Sequence, residues 1–200
     1  MLQNHKNNRL TDNDIYFKTL WMGKTMTQLF KNDYAMIDTT PAFRADGREY
    51  EHLRITSGRG LGGIAIPTVN LRGIEYFAMV KQYRPVIGEE TLEFPRGGTD
   101  SLDSSETVRE LVEETSLEPL KKLAPLKLGV IYPDTGIMTT RVAVWRIAID
   151  PNSVKLAEGY IENESNAAHE WLSMGEIRGA VKNGKIRCSM TLAALSLFNS

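Results

Sequence analysis

Three glutamates lie within one helical turn in Arg109-Glu-Leu-Val-Glu-Glu-Thr115. On a helix, Glu110, Glu113 and Glu114 stand at i, i+3 and i+4 and share one face. At ~100° per residue the three carboxylates fall within an arc of roughly 100°. Val108, Leu111, Val112 and Thr115 form the opposite stripe, the one suited to a core. Like charges so spaced repel by about 0.2–0.5 kcal/mol per pair, so a merely solvated face would interleave Lys or Arg. A hard divalent cation, which takes oxygen ligands, turns that repulsion into binding. Metal binding is therefore the chemistry this face offers.

A face of this kind works only if other elements hold it. Ser104–Thr115 reads as the helix itself. Ahead of it, Thr25–Phe30, Tyr34–Phe43 and Tyr50–Ile55 read as three short strands separated by turn residues at Asn32-Asp33 and Asp46-Gly47. So small an antiparallel unit is marginal alone and has to pack on something. Ile64–Val69 and Ile74–Tyr83 alternate apolar and polar residues about Arg72-Gly73, which predicts a hairpin. Thr91–Phe94 is a short extended piece ended by Pro95. Leu120–Ile131 and Arg141–Ile149 read as strands around the turn Pro133-Asp-Thr-Gly136, and Ala167–Leu172 as another. Ser173 and Glu176 signal a helix start, Asn183-Gly184 its end, and Ser189–Phe198 a last helix. Strands dominate and helices are interspersed irregularly. This predicts an α+β fold with a mixed sheet sandwiched by helices, not a doubly wound parallel sheet. The domain reading is a polar arm over 1–14, a small β subdomain over 15–58 and a main domain over 59–200.

The bulk numbers narrow the function. With 200 residues and 42% hydrophobic content the chain can bury one substantial core. A net charge of −1 argues against a nucleic-acid partner or a membrane-surface role. Cys188, the single cysteine, cannot form an internal disulfide. No apolar run reaches the roughly 18 residues of a membrane span, and no apolar leader follows Met1, so a cytoplasmic location is expected. Gly58, Gly60, Gly62 and Gly63 superficially suggest a phosphate loop. No Lys-Ser/Thr or helix start follows them, so they read as a linker or turn.

Taken with its flanks, Leu92-Glu-Phe-Pro-Arg-Gly-Gly98 followed by Arg109-Glu-Leu-Val-Glu-Glu-Thr115 resembles the Nudix box, Gly-x5-Glu-x7-Arg-Glu-U-x-Glu-Glu-x-Gly-U with U apolar. Lys81-Gln-Tyr-Arg-Pro85, Gly88–Pro95 and Lys182-Asn-Gly-Lys-Ile186 look like the ADP-ribose and ADP-sugar pyrophosphatase branch. That branch has a proline sixteen residues beyond the box, and Pro133 stands at this offset from Leu117. Two departures stand out. Asp103 takes the place of the first box glutamate, with five residues instead of seven before Arg109, and Ser116 replaces the closing glycine. In the family the missing glutamate helps hold the arginine, a task that Glu106 could take at i−3.

The resemblance implies an α/β/α sandwich, N-terminal strands that dimerise two copies, and Mg²⁺ (with Mn²⁺ as a substitute) as cofactor. It implies Glu110 and Glu114 as the principal metal ligands, Glu113 assisting, and the Arg96 backbone carbonyl as a further ligand. Arg109 and Glu113 count among the catalytic residues, with Arg109 either orienting the carboxylates or touching substrate. Glu164 or Glu162, on a late loop, is the general base, which must come within about 3 Å of the attacking water. Arg84, Glu93, Gly97, Gly98 and Pro133 line the substrate cleft, Arg84 through a fork that donates to two oxygens at once. The implied reaction is hydrolysis of a nucleoside diphosphate derivative, ADP-ribose giving AMP and ribose 5-phosphate. A weakened nucleotide-binding module, or an enzyme acting on NADH, a nucleotide sugar or a dinucleoside polyphosphate, stands as the alternative.

Overall fold

The computed structural model describes residues 26–154, 156–157, 160–161 and 169–200. The chain divides into two compact units, Met1–Ile55 and Thr56–Ser200. In the first, β1 (Thr27–Lys31), β2 (Ala35–Phe43) and β3 (Glu49–Ser57, which runs past the division) form a sheet in the order β1-β2-β3. The Asn32 side chain makes the first turn, accepting from the N–H groups of Tyr34 (2.9 Å) and Ala35 (2.8 Å). Every residue of β1 is exposed, Leu29 and Phe30 among them.

The second unit is built on a mixed sheet. Its strands are β4 (Leu61–Leu71), β5 (Ile74–Arg84), β6 (Glu89–Glu93), β7 (Arg96–Gly98), β8 (Leu126–Ile131), β9 (Arg141–Ala148) and β12 (His169–Ser173). A separate two-residue pair, β10 (Leu156–Ala157) and β11 (Tyr160–Ile161), stands apart from it. The order is β12-β5-β4-β9-β8, with β4 and β9 parallel and the other pairs antiparallel. The β4–β5 hairpin turns through Arg72 (φ 52°) and Gly73 (φ 83°), the two left-handed residues a tight hairpin needs.

Beyond that turn the two strands part. Thr68–Leu71 of β4 pair with Ile74–Phe77 of β5, but further along β4 pairs with β7 and β5 with β6. The segment Glu89–Gly98 is thus wedged into the split, and Ala65 N–H donates to the Pro95 carbonyl at 2.9 Å to hold it there. β7 was not foreseen from the sequence: three residues with two glycines carry no periodicity.

Helices cover both faces. Helix α1 (Ser104–Thr115) lies on one, where Leu111 joins Ala65, Ala78, Ile147 and Trp171 in a buried cluster. Helices α2 (Met174–Lys182) and α3 (Ser189–Phe198) lie on the other, over Ile64, Ile66, Phe77, Met79 and Val144. The α+β fold with a sheet between helical layers is therefore the one expected. The Ser173–Glu176 capping box starts α2: Ser173 N–H donates to Glu176 Oε2 at 2.7 Å.

Three expectations need correction. The strand expected from Leu120 begins at Leu126, because Leu120–Leu123 close a turn and Pro125 follows. Gly62 and Gly63 are not linker but buried β4 residues; Gly58 and Gly60, with φ of 52° and 78°, do make the turn. The buried stripe of α1 is Thr107, Leu111 and Thr115, with Val112 only half-buried. The helix is rolled towards Thr107 because Gly63 lets it approach: a Cβ on Gly63 would stand 2.1 Å from Thr107 Oγ1.

Candidate active site

The wedge in the sheet brings the sequence candidates together. Glycine at 97 makes room for a carboxylate: an added Cβ would lie 1.9 Å from Glu110 Oε2. One residue earlier, the Arg96 N–H donates to Glu114 Oε2 at 3.2 Å. Two carboxylates one turn apart on α1 therefore rest on adjacent backbone units of β7.

The ladder fixes which way that backbone faces. Ala65 N–H donates to the Pro95 carbonyl and Thr99 N–H to the Leu61 carbonyl. In an antiparallel pair, bonded and non-bonded residues alternate, so Arg96, paired with Ile64, occupies a non-bonded site. Its N–H and C=O both turn away from β4, towards Glu114. The carbonyl anticipated as a metal ligand thus shares a side with the carboxylates. The donor set of Glu110, Glu114 and the Arg96 carbonyl is all hard oxygen and fits Mg²⁺, which keeps several waters of its own. Among the described residues no group of three His, Cys, Asp or Glu side chains is already arranged to hold a metal ion.

Arg109 organises the rest of the face. Its Nη1 reaches both oxygens of Glu113 at 2.9 Å, its Nη2 reaches Glu110 Oε1 at 2.6 Å, and Glu106 lies 3.6 Å away. Glu106 thus stands near the arginine. Asp103 does something else: it is the N-cap residue of α1 and accepts from Ser101 Oγ at 2.8 Å. The bonds to Glu113 and the charge of Glu110 raise the Arg109 pKa, so it stays a cation at any working pH. Glu114, half-buried, has its pKa raised by loss of solvent, and the Glu110 charge adds to that; the Arg96 N–H opposes both. A cation beside it would offset that penalty. The helix ends at Ser116 in a left-handed conformation (φ 58°, ψ 17°), with its N–H on the Val112 carbonyl at 2.8 Å.

Behind β7 sits a buried ionic knot. Glu93, 1% exposed, accepts from Arg84 Nε (2.8 Å) and Nη2 (2.6 Å), from Arg96 Nε (3.0 Å) and from Thr91 Oγ1 (2.5 Å). Burial pushes its pKa up. The bonds from Arg84 and Thr91 and the charges of both arginines outweigh this and bring it down to about 2. One edge of the Arg84 fork, expected on substrate, is therefore spent on Glu93.

A cleft of ≈ 230 Å³ is lined by Arg96, Gly97 and Gly98 together with Pro133 and the β4 glycines Gly62 and Gly63. Three of the five anticipated substrate contacts, Gly97, Gly98 and Pro133, therefore share one wall system with Arg96, while Arg84 and Glu93 do not line it. It would take one sugar or base-sized moiety, below the roughly 300 Å³ at which ligand pockets usually begin. A slightly larger cleft, ≈ 270 Å³, is lined by Lys81, Glu90 and Lys185 among others; the carboxylates of Glu110, Glu113 and Glu114 line neither cleft, and the smaller one meets them only through the Arg96-Gly97 backbone on which they rest. Glu162 and Glu164 lie outside the described residues.

No family model matches the chain, and no curated protein does. Solved structures do. An ADP compounds hydrolase matches with a TM-score of 0.64 over 88% of this chain and 93% of that one, at 11% sequence identity. The chain shares that hydrolase's fold. At such identity the likeness is one of fold, and what the site does must be argued from its own side chains.

Sequence reasoning passed over Thr91 and the Arg96 side chain. A signal was present: Glu93 stands between Leu92 and Phe94 in an apolar strand, and a buried carboxylate needs partners. Thr91, two residues away on the same strand face, and the arginines at 84 and 96 were the donors at hand.

Proposed function

We propose that the protein is a Mg²⁺-dependent hydrolase of the Nudix type that cleaves the diphosphate of a nucleoside diphosphate derivative, ADP-ribose giving AMP and ribose 5-phosphate. The observation that supports it most is the seating of Glu110 and Glu114 on the Arg96-Gly97 backbone, which also lines the cleft. Glu110, Glu114 and the Arg96 carbonyl would hold the metal, with Mn²⁺ as a substitute. The bound ion would supply charge neutralisation of the phosphate oxygens and a more acidic water. Gly97 and Gly98, lacking side chains, let a diphosphate lie against backbone. Arg109 fixes the carboxylates it bridges, as groups behind metal ligands do. Glu164 or Glu162 would take the proton of the attacking water. The choice of ADP-ribose rests on the sequence resemblance, and the fold shared with an ADP compounds hydrolase agrees with it. In the same reading two copies pair through the N-terminal sheet, whose exposed Leu29 and Phe30 suit such a contact; sedimentation as a monomer would remove that part.

The test is AMP release from ADP-ribose by the purified chain with Mg²⁺. Glu114→Gln should abolish release and leave the circular dichroism spectrum unchanged. Turnover that survives the substitution counts against the metal assignment. A second reading, a nucleotide-binding module with weakened catalysis, is favoured by the engagement of Glu110 and Glu113 with Arg109 and by the short loop before α1. Calorimetry that finds ADP-ribose binding without turnover at any Mg²⁺ or Mn²⁺ concentration would select it.

A further inference from the structure

Glu93 matched a substrate-lining position, but its surroundings give it another task. A carboxylate has about four lone-pair sites. Here all four are taken: Oε1 by Arg84 Nε and Thr91 Oγ1, Oε2 by Arg84 Nη2 and Arg96 Nε. Nothing remains for a substrate hydroxyl, and at 1% exposure no substrate reaches it.

What the knot does hold is β7. This strand has three residues and joins the sheet on one side only, through Gly62, Gly63 and Ile64 of β4. Arg96 sits in a non-bonded site of that ladder: β4 sets the side its N–H and C=O face but bonds to neither. Its side chain is anchored instead to Glu93, and Glu93 to Arg84 on β5, across the split in the sheet. The same residue's N–H meets Glu114, and its carbonyl lies on that side.

Resting on the metal-dependent reading above, we propose that Glu93 is a positioning residue: by gripping the Arg96 side chain it steadies the Arg96 peptide that the ladder has oriented, and through it Glu114, in the pose that binds the divalent ion. Groups that orient metal ligands from behind typically change metal affinity or activity by about 10–100-fold when removed. The effect should run through Arg96, which makes it testable as a cycle.

Mn²⁺ alone is the probe, titrated calorimetrically into the full chain and into Glu93→Gln, Arg96→Met and the double variant, with thermal unfolding recorded for each. Arg96→Met keeps the backbone donor and acceptor and replaces a side chain 26% exposed, so it carries the test even if Glu93→Gln does not fold. The expected result is an affinity loss of about tenfold or more in each single variant. The double variant should lose no more than the worse single, since both cut one linkage. A residue with a merely structural role would lower the melting temperature and leave the Mn²⁺ dissociation constant in place. Unchanged affinity in a folded single variant, or losses that multiply in the double, overturns the positioning role alone. A wild-type chain that binds no Mn²⁺ overturns the metal-dependent function, and the positioning role with it.

Discussion

Gly97→Ala separates metal geometry from stability more sharply than removal of a carboxylate does. An ideal Cβ at residue 97 would stand 1.9 Å from Glu110 Oε2, 2.2 Å from Cδ and 2.8 Å from Cγ. Carbon and oxygen approach to about 3.3 Å, so the carboxylate must retreat by about 1.4 Å. Gly97 is not among the glycines of positive φ, so alanine fits the backbone itself. Swinging Glu110 off its rotamer costs about 0.5–1.5 kcal/mol. Losing a glycine from the unfolded chain returns about 0.4–1 kcal/mol. The net change lies within about 1 kcal/mol, or roughly 2–4 °C in melting temperature for a chain of this length. A misplacement of about 1 Å at a reacting centre, in contrast, can cost on the order of 100-fold. Mn²⁺ titration calorimetry and thermal unfolding of the same sample read both quantities. We expect a melting temperature close to wild type with Mn²⁺ affinity reduced at least about tenfold. Gly98→Ala, where an added Cβ meets nothing within 4 Å, should keep wild-type affinity. If Gly97→Ala also binds Mn²⁺ like wild type, the seat under Glu110 has no part in metal binding and the reasoning fails.

Other consequences are as direct. Gly63→Ala drives a Cβ to 2.1 Å from Thr107 Oγ1 and 3.0 Å from its Cβ, where a β-branched side chain cannot swing aside; overpacking of about 1–3 kcal/mol should appear in urea unfolding. Ser116→Gly relieves a left-handed serine (φ 58°) and should raise stability by about 1 kcal/mol, seen as a melting temperature higher by roughly 2–4 °C. The Glu93 pKa, about 2 in the folded protein against an ordinary 4.5, lies below its unfolded value. Its contribution, on the order of 3 kcal/mol, is complete above pH 4.5 and is lost as pH falls towards 2. Unfolding free energy measured across that window should fall less steeply with acid in Glu93→Gln than in wild type. Equal slopes would show that the knot does not hold its charge.

Much of the fold could be read locally because the deciding interactions are local. Helix α1 follows from i, i+3, i+4 spacing, α2 from its capping box, and the β4–β5 hairpin from Arg72-Gly73. The misreadings fall where a partner distant in sequence decides. Gly62 and Gly63 looked like linker because nothing nearby says that β7 and β9 will close on the first and α1 on the second. The spacing puts Val112 in the core stripe and leaves Thr107 out of it because the helix period alone does not fix the roll that Gly63 permits.

The same division runs through the site. The sequence determined that Glu110, Glu113 and Glu114 would share a helix face and that a hard cation would suit them, since a helix sets side-chain directions within one turn. It could not say what that face would meet. The split between β4 and β5 put Arg96 and Gly97 beneath Glu114 and Glu110, and the alternation of a sheet ladder turned the Arg96 peptide towards them. Burial then turned Glu93 from a cleft residue into the anchor of two arginines. Strand pairing, ladder phase and burial are long-range quantities, and only the tertiary structure fixes them.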